Sequence, residues 1–185
     1  GSEMCIRDRG KTIQLNSVLY VVLLFFIVLG TVNGANFTDG LDGLASSVTV
    51  LIATFFAVVA VGTGSGVAPV SCAAVGSLLG FLVYNVYPAK VFMGDTGSLA
   101  LGGFVASTAY MLKMPIFIVI IAFIYFLEVL SVIIQVVSFK LTGKRVFRMA
   151  PIHHHFELGG WPESKVVAIF SIVTAVLCVV GLLAL

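Results

Sequence analysis

Long apolar runs separated by short polar connectors dominate the chain. Six such runs cover approximately 15–32, 44–61, 67–86, 99–114, 115–139 and 166–185. They are continuous rather than alternating, so they lack the period-two pattern of a membrane barrel strand and predict helices, whose backbone polar groups are satisfied within each segment. A spanning helix needs about 17 to 25 residues, which leaves the short, Gly-containing fourth run as the least secure. The predicted fold class is all-α: a polytopic integral membrane helical bundle of about six transmembrane helices.

Composition agrees with that pattern. Of the 185 residues 60% are hydrophobic and 10% charged, and the mean hydropathy is +1.18; a soluble domain carries about a quarter charged residues. The net charge of +2, without basic runs interleaved with aromatics, excludes nucleic acid as a partner and leaves the lipid bilayer. Cys5, Cys72 and Cys178 suggest neither a disulfide framework nor a zinc site and read as core-packing residues. Residues 1–9 carry four of the eighteen formal charges and do not share the pattern of the remaining chain, so they are expected to be a non-native tail. The first apolar run has no signal-peptide cleavage site, and the chain reads as the later part of something longer.

The connectors differ in kind. Those after the second and fourth runs are minimal turns, whereas those after the first, third and fifth hold nearly all the polar chemistry. With six spans, these three emerge on one side of the membrane. Lys90, Lys140, Lys144, Arg145, Arg148 and Lys165 lie on that side, against Arg7, Arg9, Lys11 and Lys113 on the other. The positive-inside rule makes the motif side cytoplasmic.

The first motif connector runs from Asn33 through Asn36, Asp39, Gly40, Leu41 and Asp42 to Ala45. On a helical turn, acids three apart share a face, and paired carboxylates suit a divalent cation, to which Asn36 can add a carbonyl oxygen. The competing reading is that Asp39 and Asp42 cap the next helix. The second connector holds Asn85, Lys90, Phe92 and the sequence Gly94-Asp-Thr-Gly-Ser98, in which Gly94 and Gly97 permit a sharp turn around Asp95 and Ser98 is a candidate N-cap for the fourth run. A helix N-terminus beside a carboxylate suits a phosphate together with its metal. Asn85 and Lys90 offer contacts to a polar or phosphorylated ligand, although Lys90 equally suits a lipid headgroup. The third connector carries His153, His154, His155 and Glu157 next to Arg145 and Arg148. Three successive histidines cannot share one helix face, so this is a hydrogen-bonding wall for phosphates rather than a zinc helix. Glu157 either orients an imidazole or caps a turn.

Glu128 stands apart, inside the fifth apolar run. A carboxylate at bilayer depth costs about 2.5 to 3.5 kcal/mol, so it must face a groove, pair with a partner or be protonated.

Asn36-Phe-Thr-Asp-Gly-Leu-Asp-Gly-Leu-Ala45, Val91-Phe-Met-Gly-Asp-Thr-Gly-Ser-Leu99 and Ala150-Pro-Ile-His-His-His-Phe-Glu157, in that order, resemble the polyprenyl-phosphate N-acetylhexosamine-1-phosphate transferase superfamily. The histidine motif is similar to its muramoyl-pentapeptide branch in particular. The resemblance covers nearly everything after about residue 12 and implies that residues 10–185 are the C-terminal part of a single multi-span transferase domain. It implies Mg2+-dependent transfer of phospho-MurNAc-pentapeptide from UDP-MurNAc-pentapeptide to undecaprenyl phosphate, releasing UMP. The setting implied is the bacterial inner (plasma) membrane, with the active site on the cytoplasmic face. By the same resemblance Asp39, Asp42, Asp95 and His153 are catalytic, and Asp95, with Asn36, binds metal. Asn36, Gly40, Leu41, Asn85, Phe92, His154 and His155 contact substrate, Phe92 by stacking on the uracil. Assembly as a homodimer is left open.

The chain departs from the superfamily in one respect. Members carry adjacent aspartates in an earlier loop and about ten spans, whereas this sequence contains no Asp-Asp pair. The expectation is therefore a fragment, inactive alone. Two alternatives remain: a sister transferase that loads a GlcNAc-1-phosphate for teichoic acid or surface polysaccharide, and a non-enzymatic transporter whose acids line a pathway.

Overall fold

A computed structural model describes residues 16–185 and the backbone of Cys5–Asp8 and Lys11–Gln14, which pair as a short antiparallel hairpin (β1 and β2). The remaining residues before Asn16, and with them the expectation of a non-native tail placed on 1–9, lie outside the described residues apart from that backbone. The rest of the chain is helical: α1 Ser17–Thr38, α2 Leu44–Gly62, α3 Ala68–Asn85, α4 Gly94–Met111, a 3-10 turn Pro115–Phe117, α5 Ile118–Ile121, α6 Phe123–Thr142, α7 Ile152–Glu157 and α8 Glu163–Ala184.

Five of these helices, α1, α2, α3, α6 and α8, are long and apolar enough to cross a membrane, and the chain is a multi-pass membrane protein. The fourth expected span, α4, falls outside that set because Gly, Ser and Thr dilute its 18 residues. Its packing nevertheless aligns it with a helix of spanning length. Ser98 meets Asn36, Gly102 meets Val32, and Tyr110 lies beside Leu24, so α4 runs antiparallel to α1 for about 18 Å at 1.5 Å per residue.

Three expectations change in detail. Helix α1 continues to Thr38, so Asn33 and Asn36 are helical rather than in a loop. Helix α4 begins at Gly94, one turn earlier than expected, and Ser98 is not its N-cap; the Ser98 hydroxyl donates back to the Gly94 carbonyl at 3.1 Å within the first turns. The run 115–139 is not one continuous helix but is interrupted at Ala122, between α5 and α6, although no Pro or Gly marks the break.

The core centres on α2, which buries Leu44, Val48, Ile52, Phe55 and Phe56 against neighbours that bury one side each. Cys178 is part of this core, but Cys72 is exposed on α3, contrary to expectation; both are free thiols. Two glycines set how closely the site-bearing helices approach. A Cβ on Gly102 would lie 2.6 Å from the Val32 Cα, and one on Gly34 would lie 2.5 Å from the Tyr125 carbonyl oxygen. Backbone thus packs on backbone where α1 crosses α4 and α6, which puts the ends carrying Asn36, Asp95 and Glu128 within reach of one another.

Candidate active site

Asp39 is the C-cap of α1, its N–H bonded to the Asn36 carbonyl at 3.1 Å. Burial, together with the nearby Asp95 carboxylate, pushes its carboxyl up to about 6. Asp95 sits in the first turn of α4, where the helix dipole favours an acid. Between them, the Asn36 amide donates to Asp95 Oδ1 and to Ser98 Oγ, each at 2.9 Å, and locks the end of α1 onto the start of α4. Asp39 and Asp95 are thus near enough to couple electrostatically, with an amide fixing Asp95.

Asp42 has different partners. Its Oδ2 accepts from the Ala89 N–H at 2.8 Å, and its own N–H donates to Glu163 at the start of α8. It does not cap α2, whose N-cap is Gly43 in the left-handed region (φ 75°). Asp42 instead clamps the 86–93 loop and α8 to the turn that follows Asp39. Asn85, buried at the end of α3, completes the clamp by accepting from the Ser46 hydroxyl at 2.8 Å and donating to the Val91 carbonyl at 2.9 Å. Pinned at both ends, the loop presents Phe92, 72% exposed, beside the α4 N-terminus that bears Asp95. Lys90 is also exposed there.

The histidines diverge. His153 is fully buried in α7 and its Nδ1 lies 3.1 Å from Glu128 Oε1, while Glu128 Oε2 accepts from the Ile152 N–H at 2.8 Å. With a carboxylate as its partner, Nδ1 is the nitrogen that donates, and Nε2 is the remaining one, buried toward the Gly40 turn. Nε2 has no protein hydrogen-bond partner among the described residues and lies against Gly40, where any Cβ would collide with it. A glycine is required at position 40 because an imidazole occupies the place of a side chain. His154 Nδ1 bonds Glu157 at 2.6 Å, which settles Glu157 as an orienting residue. His155 Nδ1 accepts from the Arg148 N–H at 3.1 Å, and the Arg148 guanidinium donates to the Leu158 carbonyl.

The structure thus brings Asn36, Asp39, Gly40, Asp95 and His153 together around one turn, with Phe92 presented on the loop that Asp42 holds. Leu41 is placed differently: its side chain is in the main core, leaving only backbone for a ligand. Glu163 carried no role in the sequence pattern, being an ordinary helix-start acid until α8 is seen to meet the Asp42 turn. Glu128 stood out in the pattern, but its partner His153 lies 25 residues away.

Residues 2–113 match the model of glycosyl transferase family 4. The chain belongs to glycosyl transferase family 4. The family match covers the Asp39–Asp42 turn and the Asp95 helix. Similarity extends across the histidine motif as well. The phospho-N-acetylmuramoyl-pentapeptide-transferase of Clostridium novyi is 56% identical over all of this chain, that of Clostridium botulinum (strain Eklund 17B) 60%, and that of Clostridium beijerinckii 54%. The chain spans 57% of the length of each of these glycosyl transferase family 4 relatives.

Proposed function

We propose that the chain is the C-terminal part of a bacterial plasma-membrane enzyme that transfers phospho-MurNAc-pentapeptide from UDP-MurNAc-pentapeptide to undecaprenyl phosphate. The products are lipid I, for peptidoglycan, and UMP, and the reaction faces the cytoplasm. The observation that carries the reading is the convergence of Asp39, Asp95 and the buried, unpartnered Nε2 of His153 on the Gly40 turn. Relatives named for this transfer, similar along the whole chain, support it.

The donor set fits a divalent cation. Burial and the neighbouring Asp95 hold the Asp39 carboxyl up at about 6, a repulsion that a cation between the two carboxylates relieves. Among the described residues no group of three or more His, Cys, Asp or Glu is placed to hold a metal. Two carboxylates plus substrate phosphates are a usual set for Mg2+, which dehydrates reluctantly. Asp95 and Asp39 would hold it, with the Asn36 amide orienting Asp95 and its oxygen available as a further ligand. When bound, Mg2+ neutralises pyrophosphate charge and stabilises the leaving UMP.

The chain's own residues supply the rest. His153, aligned by Glu128, meets a phosphate through Nε2, taking a proton from the attacking phosphate or, once protonated, donating to an oxygen. Phe92 stacks on the uracil, the Gly40 and Leu41 backbone lines its pocket, and Asn85 and Asp42 keep that loop in place. His154 and His155 extend the wall toward the peptide. Transfer also needs parts of the longer protein, so the 185 residues alone are expected to release no UMP. The test uses the chain joined to its upstream coding sequence, in detergent with Mg2+ and undecaprenyl phosphate. UMP release from UDP-MurNAc-pentapeptide, and not from UDP-GlcNAc, supports the proposal; the reverse preference overturns it.

A further inference from the structure

Helix α6 does not end at the site. Glu128 lies near its start, and the helix continues for 14 residues, about 21 Å, to Thr142. The segment 143–151 then folds back along it to return Ile152 and His153 to Glu128. Gln135 fixes the returning backbone: its Oε1 accepts from the Val146 and Phe147 N–H groups at 3.0 and 2.9 Å, and its Nε2 donates to the Phe147 carbonyl at 2.9 Å. Ser138 adds a bond to the Lys144 carbonyl at 3.0 Å. The resulting arm is apolar outside, with Ile133, Ile134, Val137, Phe139 and Leu141 exposed, a surface suited to contact with lipid.

Between helix and returning segment is a groove of about 430 Å3 lined by Val132, Val136, Phe139, Met149, Lys140 and Arg145, with Gln135 and Ala150. Its walls are apolar and one end carries two cations. The Arg145 guanidinium lies 5.9 Å from the centre of the Phe139 ring, and neither Lys140 nor Arg145 has a carboxylate within 4.0 Å among the described residues. Paired cations at the mouth of an apolar groove on an arm suited to lipid contact match a lipid with an anionic phosphate headgroup.

We propose that this groove holds an anionic glycerophospholipid of the surrounding bilayer, its phosphate between Lys140 and Arg145 and an acyl chain along Val132, Val136 and Met149. Distance along the helix argues against the reacting carrier lipid. Lys140 is 12 residues, about 18 Å, beyond Glu128, so a phosphate seated there does not reach His153. The bound lipid is a fixed structural ligand that anchors the arm from which the His153 segment returns.

The test needs no catalysis, so it stands apart from the transfer reaction. The joined full-length protein in mild detergent is offered equimolar phosphatidylglycerol and phosphatidylcholine, with a polyprenyl phosphate in a separate arm, and retained lipid is counted by native mass spectrometry. Two interfacial cations predict about tenfold or greater preference for phosphatidylglycerol. That preference should vanish in the Lys140→Gln/Arg145→Gln double variant and persist in Lys113→Gln, with helical circular dichroism confirming that all three fold. In the single variant Gln135→Leu, which frees the segment but keeps both cations, preference should weaken. Equal retention of the two phospholipids, an unchanged preference in the double variant, or binding of polyprenyl phosphate alone would each overturn the proposal.

Discussion

Gly40 shows how one residue sets the geometry of the site. A methyl group there has no room beside His153 Nε2, so Gly40→Ala should displace the imidazole or the turn. Overpacking of this kind costs about 1 to 3 kcal/mol, and in the joined full-length protein UMP release should fall by about 10²-fold while helical circular dichroism is retained. A release rate within twofold of the parent would mean that His153 does not act from this position. Asp39 makes a prediction about pH. Its carboxyl, raised to about 6 in the fold from 3.8, is favoured there in its neutral form. It therefore adds stability that is fully present below about 4 and is lost as pH rises through about 6. A cation needs the ionised form, so protons compete with it. Mg2+ titrations of UMP release at steps from pH 7.5 to 5.5 should show the half-saturating Mg2+ rising as pH falls, and Asp39→Asn should flatten that dependence.

Helices meet the site at ends that their packing fixes. Glu128 joins α6 to α7 through the Ile152 N–H and the His153 ring, both buried. Removing the carboxylate leaves the Ile152 N–H and the His153 Nδ1–H unsatisfied, at about 1 to 3 kcal/mol each, so Glu128→Ala should lower the thermal midpoint sharply. Glu128→Gln, which can still accept from the Ile152 N–H, should recover much of it. Equal midpoints for the two variants would contradict a hydrogen-bonding role. Gly102→Val should act on α1 and α4 by wedging Val32 away and parting Asn36 from Asp95; its expected signature is a higher Mg2+ requirement. The sequence pattern foretold six apolar segments and the residues at their ends, because burial in lipid leaves long uninterrupted runs. It did not foretell the break at Ala122, which has no local breaker. Nor did it foretell the early start of α4: Gly and Ser near Asp95 read as a turn, whereas packing on α1 draws them into helix.

Across the whole molecule, three connectors distant in sequence meet at one place. Their polar residues were legible because charged and amide groups are scarce in so apolar a chain and gather at a single membrane face. Which of them touch was not legible. Asp39 and Asp42 read as a pair, yet Asp39 couples to Asp95 while Asp42 clamps the 86–93 loop and α8. The partner of Glu128 became visible only when segment 143–151 was seen to double back along α6. The central claim is that Asp95, held by Asn36 and opposed to Asp39, carries the cation on which transfer depends. The most direct measurement is UMP release from UDP-MurNAc-pentapeptide by the joined full-length protein and its Asp95→Asn variant across an Mg2+ titration. Loss of a preorganised charge contact predicts a fall of about 10²-fold or more that added Mg2+ does not restore. Release by the variant at the parent rate and the same Mg2+ requirement would contradict the account.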